Sequence, residues 1–343
     1  MSLDGGGIRG IITCVILKYI EERLQEFDHP HAKIGDYFDL IAGSSTGGLI
    51  ASMLLFPHES GNCAKYSIQQ AFDLYTEKGE SIFKSSLWER ITNPLGFFDE
   101  KLSEEAFEKE LLNFFGDLSL KDFIKPCLIT SYDMETRQAK LFNTLEARNS
   151  KTENFFVRDI CRATSAAPTY FEPARIKSFF GQWFTLIDGG IYANNPALCA
   201  YAEARKIPFG DFVKTDEKKN YPKLKDMIMI SIGTGDVKKS YKYGEYKNAM
   251  KISWIEPIIG MLLSSNAETV NYQISQMYKT LSGKDKENYY RIEPSLRDAT
   301  SKMDYADQEN IENLIQAGLY YVDENKEQLD EIAKKLIINK IER

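Results

Sequence analysis

The stretch Asp39–Leu55, DLIAGSSTGGLIASMLL, decides how this chain is read. Inside it, Gly43-Ser44-Ser45-Thr46-Gly47 is G-x-S-x-G, set between an apolar run that ends at Ala42 and a second that starts at Leu49. Strand, sharp turn and helix form the context in which this pentapeptide acts as a nucleophile elbow. Small residues on both sides let the backbone reverse and lift the Ser45 hydroxyl clear at the helix N-terminus, where the helix dipole and free amides favour developing negative charge. Gly-Ser-Thr runs also make ordinary turns, so the context carries the assignment of Ser45. Leu40 to Pro57 is uncharged and approaches the length of a membrane span, but the Gly, Ser and Thr residues from 43 to 48 break it in the middle.

A serine nucleophile needs a base. The chain has 3 histidines, His29, His31 and His58. The order Ser, acid, His of the α/β-hydrolases needs a histidine later in the chain, and none follows position 58. His58 lies about four turns beyond Ser45 at roughly 5 Å per turn, too far along one helix to reach back. His29 and His31 flank Pro30 in a polar turn and read as surface residues. A carboxylate is left, and the best placed is Asp188 in FTLIDGGIYANNPA, at the end of an apolar strand and followed by Gly189 and Gly190. In parallel α/β sheets such strand ends converge on the site, although an Asp before Gly-Gly also serves as a turn former.

The N-terminus, MSLDGGGIRGII, holds a third glycine cluster: Gly5, Gly7 and Gly10 fit G-x-G-x-x-G. A dinucleotide-binding oxidoreductase is therefore the reading from another class. It fits poorly, because only Met1, Ser2 and Leu3 precede Asp4, so the first strand is expected to be short, and Asp4 would set a carboxylate against a pyrophosphate. With 50 acidic against 43 basic side chains the net charge is −7, which excludes a general affinity for nucleic acid. The 5 cysteines are odd in number and form no C-x-x-C pair, so neither a disulfide framework nor a zinc site is expected. No signal peptide is visible, and the expected compartment is reducing and cytoplasmic. No cofactor or metal is expected.

Along the rest of the chain, Ile12, Ile16, Ile20 and Leu24 recur at every fourth position and predict a core-facing helix over Ile11–Leu24. Strands are predicted at Tyr37–Ala42, Pro126–Tyr132, Phe184–Ile187 and Met227–Ile232, with helical patterns between them, so the fold class is α/β with a central, mostly parallel sheet sandwiched by helices. Ile255–Met277 and Asp307–Ile338 read as largely helical. With 343 residues and no repeat or linker, the chain is expected to be one domain over 1–343, with a catalytic core at 1–235 and a helical C-terminal part at 236–343.

D-G-G-G-I-R-G, G-S-S-T-G and D-G-G in this order resemble the patatin-like phospholipase family. ATSAAPTYFEPA (Ala163–Ala174), DGGIYANNPA (Asp188–Ala197), ISIGTG (Ile230–Gly235), YYRIEPSL and MDYADQENIENL extend the similarity across almost the whole chain. The resemblance implies a patatin-like fold and a lipid acyl hydrolase of phospholipase A or lysophospholipase type. It implies Ser45 as nucleophile, Asp188 as general base, and Gly5, Gly6 and Gly7 as amide donors to an oxyanion, with Gly43, Gly47, Gly189 and Gly190 as motif glycines. Arg9 matches the motif arginine, for which an orienting or charge role stands beside a structural salt bridge. An acyl transferase or thioesterase with the same dyad is the close variant. The implied partner is a phospholipid or other acyl lipid, met by transient peripheral contact with a membrane. Two stretches offer such contact: Phe83, Leu87, Trp88, Leu95, Phe97 and Phe98 within Ser81–Glu100, and Lys238, Lys239, Lys242 and Lys247 with Tyr241, Tyr243 and Tyr246 within Asp236–Trp254. Burial under a loop, and a solvated loop, are the respective alternatives.

Overall fold

In the computed structural model the first strand, β1 (Ser2–Leu3), has only two residues, yet it lies in the middle of the parallel part of the sheet. It pairs with β2 (Ile41–Ser44) on one side and β7 (Met229–Ile232) on the other, all three buried throughout. Strands covered on both faces need no polar alternation, which is why these stretches read as continuous apolar or small-residue runs. The structure describes residues 1–61, 63–83, 97–210, 218–236, 241–247 and 254–341. Leu87, Trp88, Leu95, Lys238 and Lys239 lie outside them, as do the side chains of Phe83, Phe97 and Phe98.

Among the described residues the sheet has eight strands. The path runs β5 (Ala174–Lys177), β6 (Trp183–Asp188), β3 (Cys127–Asp133), β2, β1, β7 and β8 (Tyr289–Ile292), with β4 (Gln138–Asn143) also paired to β3. Pairing is parallel from β3 through β8 and antiparallel at β3/β4, β3/β6 and β5/β6. The expected strand at Tyr37–Ala42 begins only at Ile41, because Ile34–Tyr37 coil into a 3-10 turn that buries the Tyr37 ring. Strands β4, β5 and β8 have no counterpart among the expected ones.

Helices cover both faces. Against Leu3, Ile41 and Ile129 pack α1 (Gly10–Phe27), α2 (Thr46–Leu54), α3 (Ile68–Phe83) and α4 (Phe97–Phe115). The α1 stripe is the expected one, with Ile12, Ile16, Ile20 and Leu24 wholly buried, each contributing about 1.5–3 kcal/mol. The short α5 (Thr144–Asn149) follows β4, and α6 (Val157–Thr164) joins the same core. After β6 come a single turn, α7 (Gly190–Ala193), and α8 (Ala197–Ala204), which packs on the opposite face against Ala42 and Leu128. The turn α9 (Tyr243–Tyr246) precedes the long α10 (Ile255–Lys279), which meets Ala197 and Met229 on that second face. Finally α11 (Gln308–Glu324) and α12 (Lys326–Ile341) return to α1. The stretch after residue 235, expected to be helical, also gives the sheet its edge strand β8, so it is built onto the sheet that carries the rest.

Strand β3 positions the site. β4 runs along one edge from Leu128 to Asp133, and the other edge is divided: Cys127–Thr130 pair with β2 and Ser131–Asp133 with β6. Ser44 is thus registered with Thr130 and Asp188 with Ser131, the next residue. The turn between β2 and α2 fits under β1 only because position 47 has no side chain: a Cβ there would lie 2.2 Å from the Leu3 carbonyl oxygen, a backbone atom that cannot swing aside. Gly47→Ala is expected to lower the unfolding free energy by about 1–3 kcal/mol, read by chemical denaturation.

Candidate active site

Ser45 sits between β2 and α2 with φ 51° and ψ −125°, a left-handed backbone that costs a non-glycine residue about 1–2 kcal/mol. The surroundings hold it there. Its amide donates to Thr164 Oγ1 (2.8 Å), and the Thr164 hydroxyl donates in turn to the Thr130 carbonyl (2.7 Å). Its carbonyl accepts from the Gly48 and Leu49 amides, starting α2. A Cβ on Gly43 would lie 2.3 Å from the Gly47 carbonyl oxygen, so the elbow closes only over glycine.

The Asp188 carboxylate is buried, accepts a hydrogen bond from the Gly190 amide at 2.7 Å, and lies near enough to the Ser45 hydroxyl for that group to act on its charge. Loss of water raises its pKa to about 6, with the Ser45 hydroxyl and the Gly190 amide pulling the other way. Because β6 runs antiparallel to β3, Asp188 does not reach Ser45 as one more parallel strand end, as expected. It arrives on the β3 edge that β2 has just left. A Cβ on Gly189 would meet Thr130 Oγ1 at 2.2 Å, which lets that turn press against β3. His29, His31 and His58 are all exposed: His29 lies beside Asp28 and Lys340, and His58 beside Ser60.

The glycine loop lies next to Ser45, with the Ser45 Cβ 3.0 Å from where a Gly5 Cβ would stand. In a trans peptide the carbonyl and the following amide point in opposite directions, so a pinned carbonyl aims the next N–H. The Gly5 carbonyl accepts from Thr234 Oγ1 (3.0 Å) and from Asn194 Nδ2 (3.5 Å). The Gly6 carbonyl accepts from Arg9 Nε (3.2 Å) and from the Arg9 amide (3.3 Å). These contacts orient the amides of Gly6 and Gly7, neither of which has an acceptor among the described residues. The Gly5 amide differs from the expectation, since it already donates to the Asn194 carbonyl (3.1 Å). Arg9 also reaches the Gly235 carbonyl (3.1 Å), so it binds two backbone carbonyls and acts as a brace for the loop.

Asp4, which looked misplaced in a phosphate loop, is buried in an ion pair with Arg291 of β8 (2.7 Å), while Arg291 also donates to Ser231 (2.8 Å). Gly7, Ser45, Thr46 and Leu49 line a pocket closed by Tyr170 and Phe171. A second pocket is bounded by Arg9, Asn194 and Thr234, with Ile259 and Leu263 of α10 as its apolar wall. Among the described residues no group of three or more His, Cys, Asp or Glu side chains is placed to hold a metal ion. Sequence reasoning missed Thr164, Asn194 and Thr234. Each stands inside a stretch that carried the family resemblance, but no spacing rule marks it as a neighbour of the elbow.

Ser45 at its elbow, the buried Asp188 and the braced glycine loop thus stand together in one cluster. The family model described as Patatin-like phospholipase matches residues 1–201. Patatin-like protein 1 of Arabidopsis thaliana is 34% identical over 93% of this chain and 80% of its own length. Patatin-2-Kuras 3 of Solanum tuberosum is 32% identical over 93% of this chain and 82% of its own. The solved structure of VipD from Legionella pneumophila is a looser likeness, with TM-score 0.39 and 13% identity over 94% of this chain and 66% of that one, from which nothing follows here. The chain belongs to the patatin-like phospholipase family, and lipid acyl hydrolysis is the activity that membership supports.

Thr164→Val should leave the buried Ser45 amide without an acceptor and lower stability by about 1–3 kcal/mol, whereas Thr164→Ser, which keeps the hydroxyl, should restore most of it. Urea titration of the two variants measures the difference.

Proposed function

We propose that this protein hydrolyses carboxylic esters of glycerolipids, as a phospholipase A or lysophospholipase, through an acyl-Ser45 intermediate. The observation that carries the reading is the Ser45 hydroxyl set beside a buried carboxylate, at the junction of β2 and β6 on β3, whose pKa is raised to about 6 by loss of water. An ordinary carboxylate near 4 is a weak base at neutral pH; one near 6 is ionised at pH 7 and still accepts a proton readily.

In this mechanism Ser45 Oγ attacks the ester carbonyl while its proton passes to Asp188. The oxygen of the tetrahedral intermediate takes its negative charge among the Gly6 and Gly7 amides and the amide of Thr46, the residue after the nucleophile. Collapse breaks the bond to the alcohol, which leaves with the proton from Asp188. Water then attacks the acyl-enzyme and gives its proton to Asp188; collapse breaks the bond to Ser45 Oγ, which takes that proton back as the fatty acid leaves. Arg9, Asn194 and Thr234 keep the loop oriented through both steps. Residues 1–343 act as one patatin-like unit in this proposal, since β8 supplies Arg291 to Asp4 at the root of the loop. Every group the mechanism uses belongs to the chain itself, which leaves the nicotinamide-dependent reading no role for Ser45 or Asp188.

Ser45→Ala should cut ester hydrolysis about 10⁴-fold or more and remove covalent labelling by a fluorophosphonate while the protein stays folded. Persistent labelling of the folded variant contradicts the assignment. On a short soluble ester, kcat/KM should fall about tenfold per pH unit below about 6, because only ionised Asp188 accepts the proton. The limb should survive replacement of all three histidines by Gln. A carboxylate whose folded pKa is raised stabilises the fold most below its unfolded value, and that stability is lost as pH rises through about 6. Asp188→Asn should therefore melt no lower than wild type at pH 8 while losing about 10²–10⁴ of the rate.

A further inference from the structure

Helix α10 has two unlike sides. Its inner side is locked to the turn that follows Asp188: Leu263 lies where a Cβ on Gly190 would come within 2.8 Å of it, and Asn266 Nδ2 donates to the Tyr192 carbonyl. Its outer side, over the first turns, is bare. Ile258 is 46% and Leu262 47% exposed, and Met261 and Trp254 are exposed as well. Steps of three and four residues put them on one face of the helix. No charged residue stands between Glu256 and Glu268, whereas a helix face meant for water carries charges. A contiguous apolar patch of this kind marks a docking surface.

The residues beside the patch say what docks. Trp254 packs on Tyr246 (5.1 Å between ring centroids) and Tyr246 on Tyr241 (5.5 Å). Tyr243, 76% exposed, has the Lys247 ammonium over its ring at 5.8 Å, and Lys242 is exposed next to it. Protein interfaces are poor in lysine, while indole, phenol and lysine side chains around an apolar face compose the boundary between lipid and water. Among the described residues no helix is long and apolar enough to cross a membrane, so contact through α10 means lying on one.

We infer that the face of α10 formed by Ile258, Met261 and Leu262, with Trp254 and the Lys242–Lys247 turn at its end, is the surface on which the protein rests on a phospholipid bilayer. The inference rests on the hydrolase reading for its purpose: the helix that packs on the turn after Asp188 would bring that side of the molecule to the bilayer that holds the substrate. Insertion of the apolar side chains supplies the binding, and the lysines add attraction to anionic headgroups.

The test measures sedimentation with vesicles of phosphatidylcholine and phosphatidylglycerol. It uses Ser45→Ala protein, which binds without turnover, so a failure of docking is separate from a failure of hydrolysis, which shows only as inactivity of the wild type on esters. Adding Ile258→Gln and Leu262→Gln should weaken vesicle partition about tenfold or more, since both side chains lose their place in the bilayer. In the Ser45 background of the wild type, the same pair should spare turnover of a short soluble ester and leave the melting temperature unchanged. Lys242→Glu with Lys247→Glu should weaken binding only to vesicles that contain phosphatidylglycerol. Unchanged partition of the Ile258/Leu262 variant overturns the inference. So does a dimer that this variant converts to monomer with vesicle binding intact, which would make a second copy the occupant.

Discussion

The site depends on one constraint: a β-strand has two edges, and β3 divides one of them between two partners. β2 occupies it as far as Thr130 and β6 takes over at Ser131, so the residues at the ends of two strands far apart in sequence, Ser44 and Asp188, are set one register position apart. Everything at the elbow follows from that junction. Ser45 is the next residue after β2, Gly189 the next after β6, and both turns press on the same residue of β3, since Thr130 takes the Thr164 hydroxyl on its carbonyl and faces Gly189 through its side chain. Backbone ladders fix the spacing more rigidly than side-chain packing alone, which suits a proton transfer that tolerates little misplacement.

Such a junction has costs. Ser45 is held at a positive φ, and Asp188 is stripped of water until its pKa climbs to about 6. Strain and desolvation of this order persist only where the surroundings leave no alternative. Here the surroundings are a wholly buried α2, glycines at 43, 47 and 189 that let backbone meet backbone, and the Asp4–Arg291 pair that ties the root of the glycine loop to the far edge of the sheet. The loop itself is built in the same way. Its carbonyls are bound by Arg9, Asn194 and Thr234, so that its amides are aimed before any substrate arrives, which is what the proposed stabilisation of an oxyanion requires.

Much of this was legible in the chain. The elbow could be read because it needs a local pattern, small residues between an apolar strand and an apolar helix, and α1 because its stripe repeats over four turns. The absence of a later histidine pointed to a carboxylate, and Asp188 stood out as the one at a strand end before Gly-Gly. The direction of β6 was not legible, since a six-residue apolar run looks the same in a parallel or an antiparallel neighbour and only pairing decides. β8 was hidden in YYRI for the same reason, while β1 was legible as the short strand expected before Asp4. The reading of all three loop glycines as donors met a tertiary fact, the Asn194 carbonyl on the Gly5 amide, that no local pattern encodes. Thr164 was invisible for a similar cause: a threonine at the end of a helix is ordinary until its hydroxyl is seen between Ser45 and Thr130.

The central claim is that Ser45 and Asp188 work as one unit because the shared strand edge sets them together. The most direct measurement is a double-mutant cycle on kcat with a soluble ester, comparing Ser45→Ala, Asp188→Asn and the two combined. Groups that act as a unit are strongly non-additive, so the combined variant should be no slower than Ser45→Ala alone. Losses that multiply, the combined variant falling below Ser45→Ala by the full factor of Asp188→Asn, would mean that the two act independently and that the junction does not make the dyad.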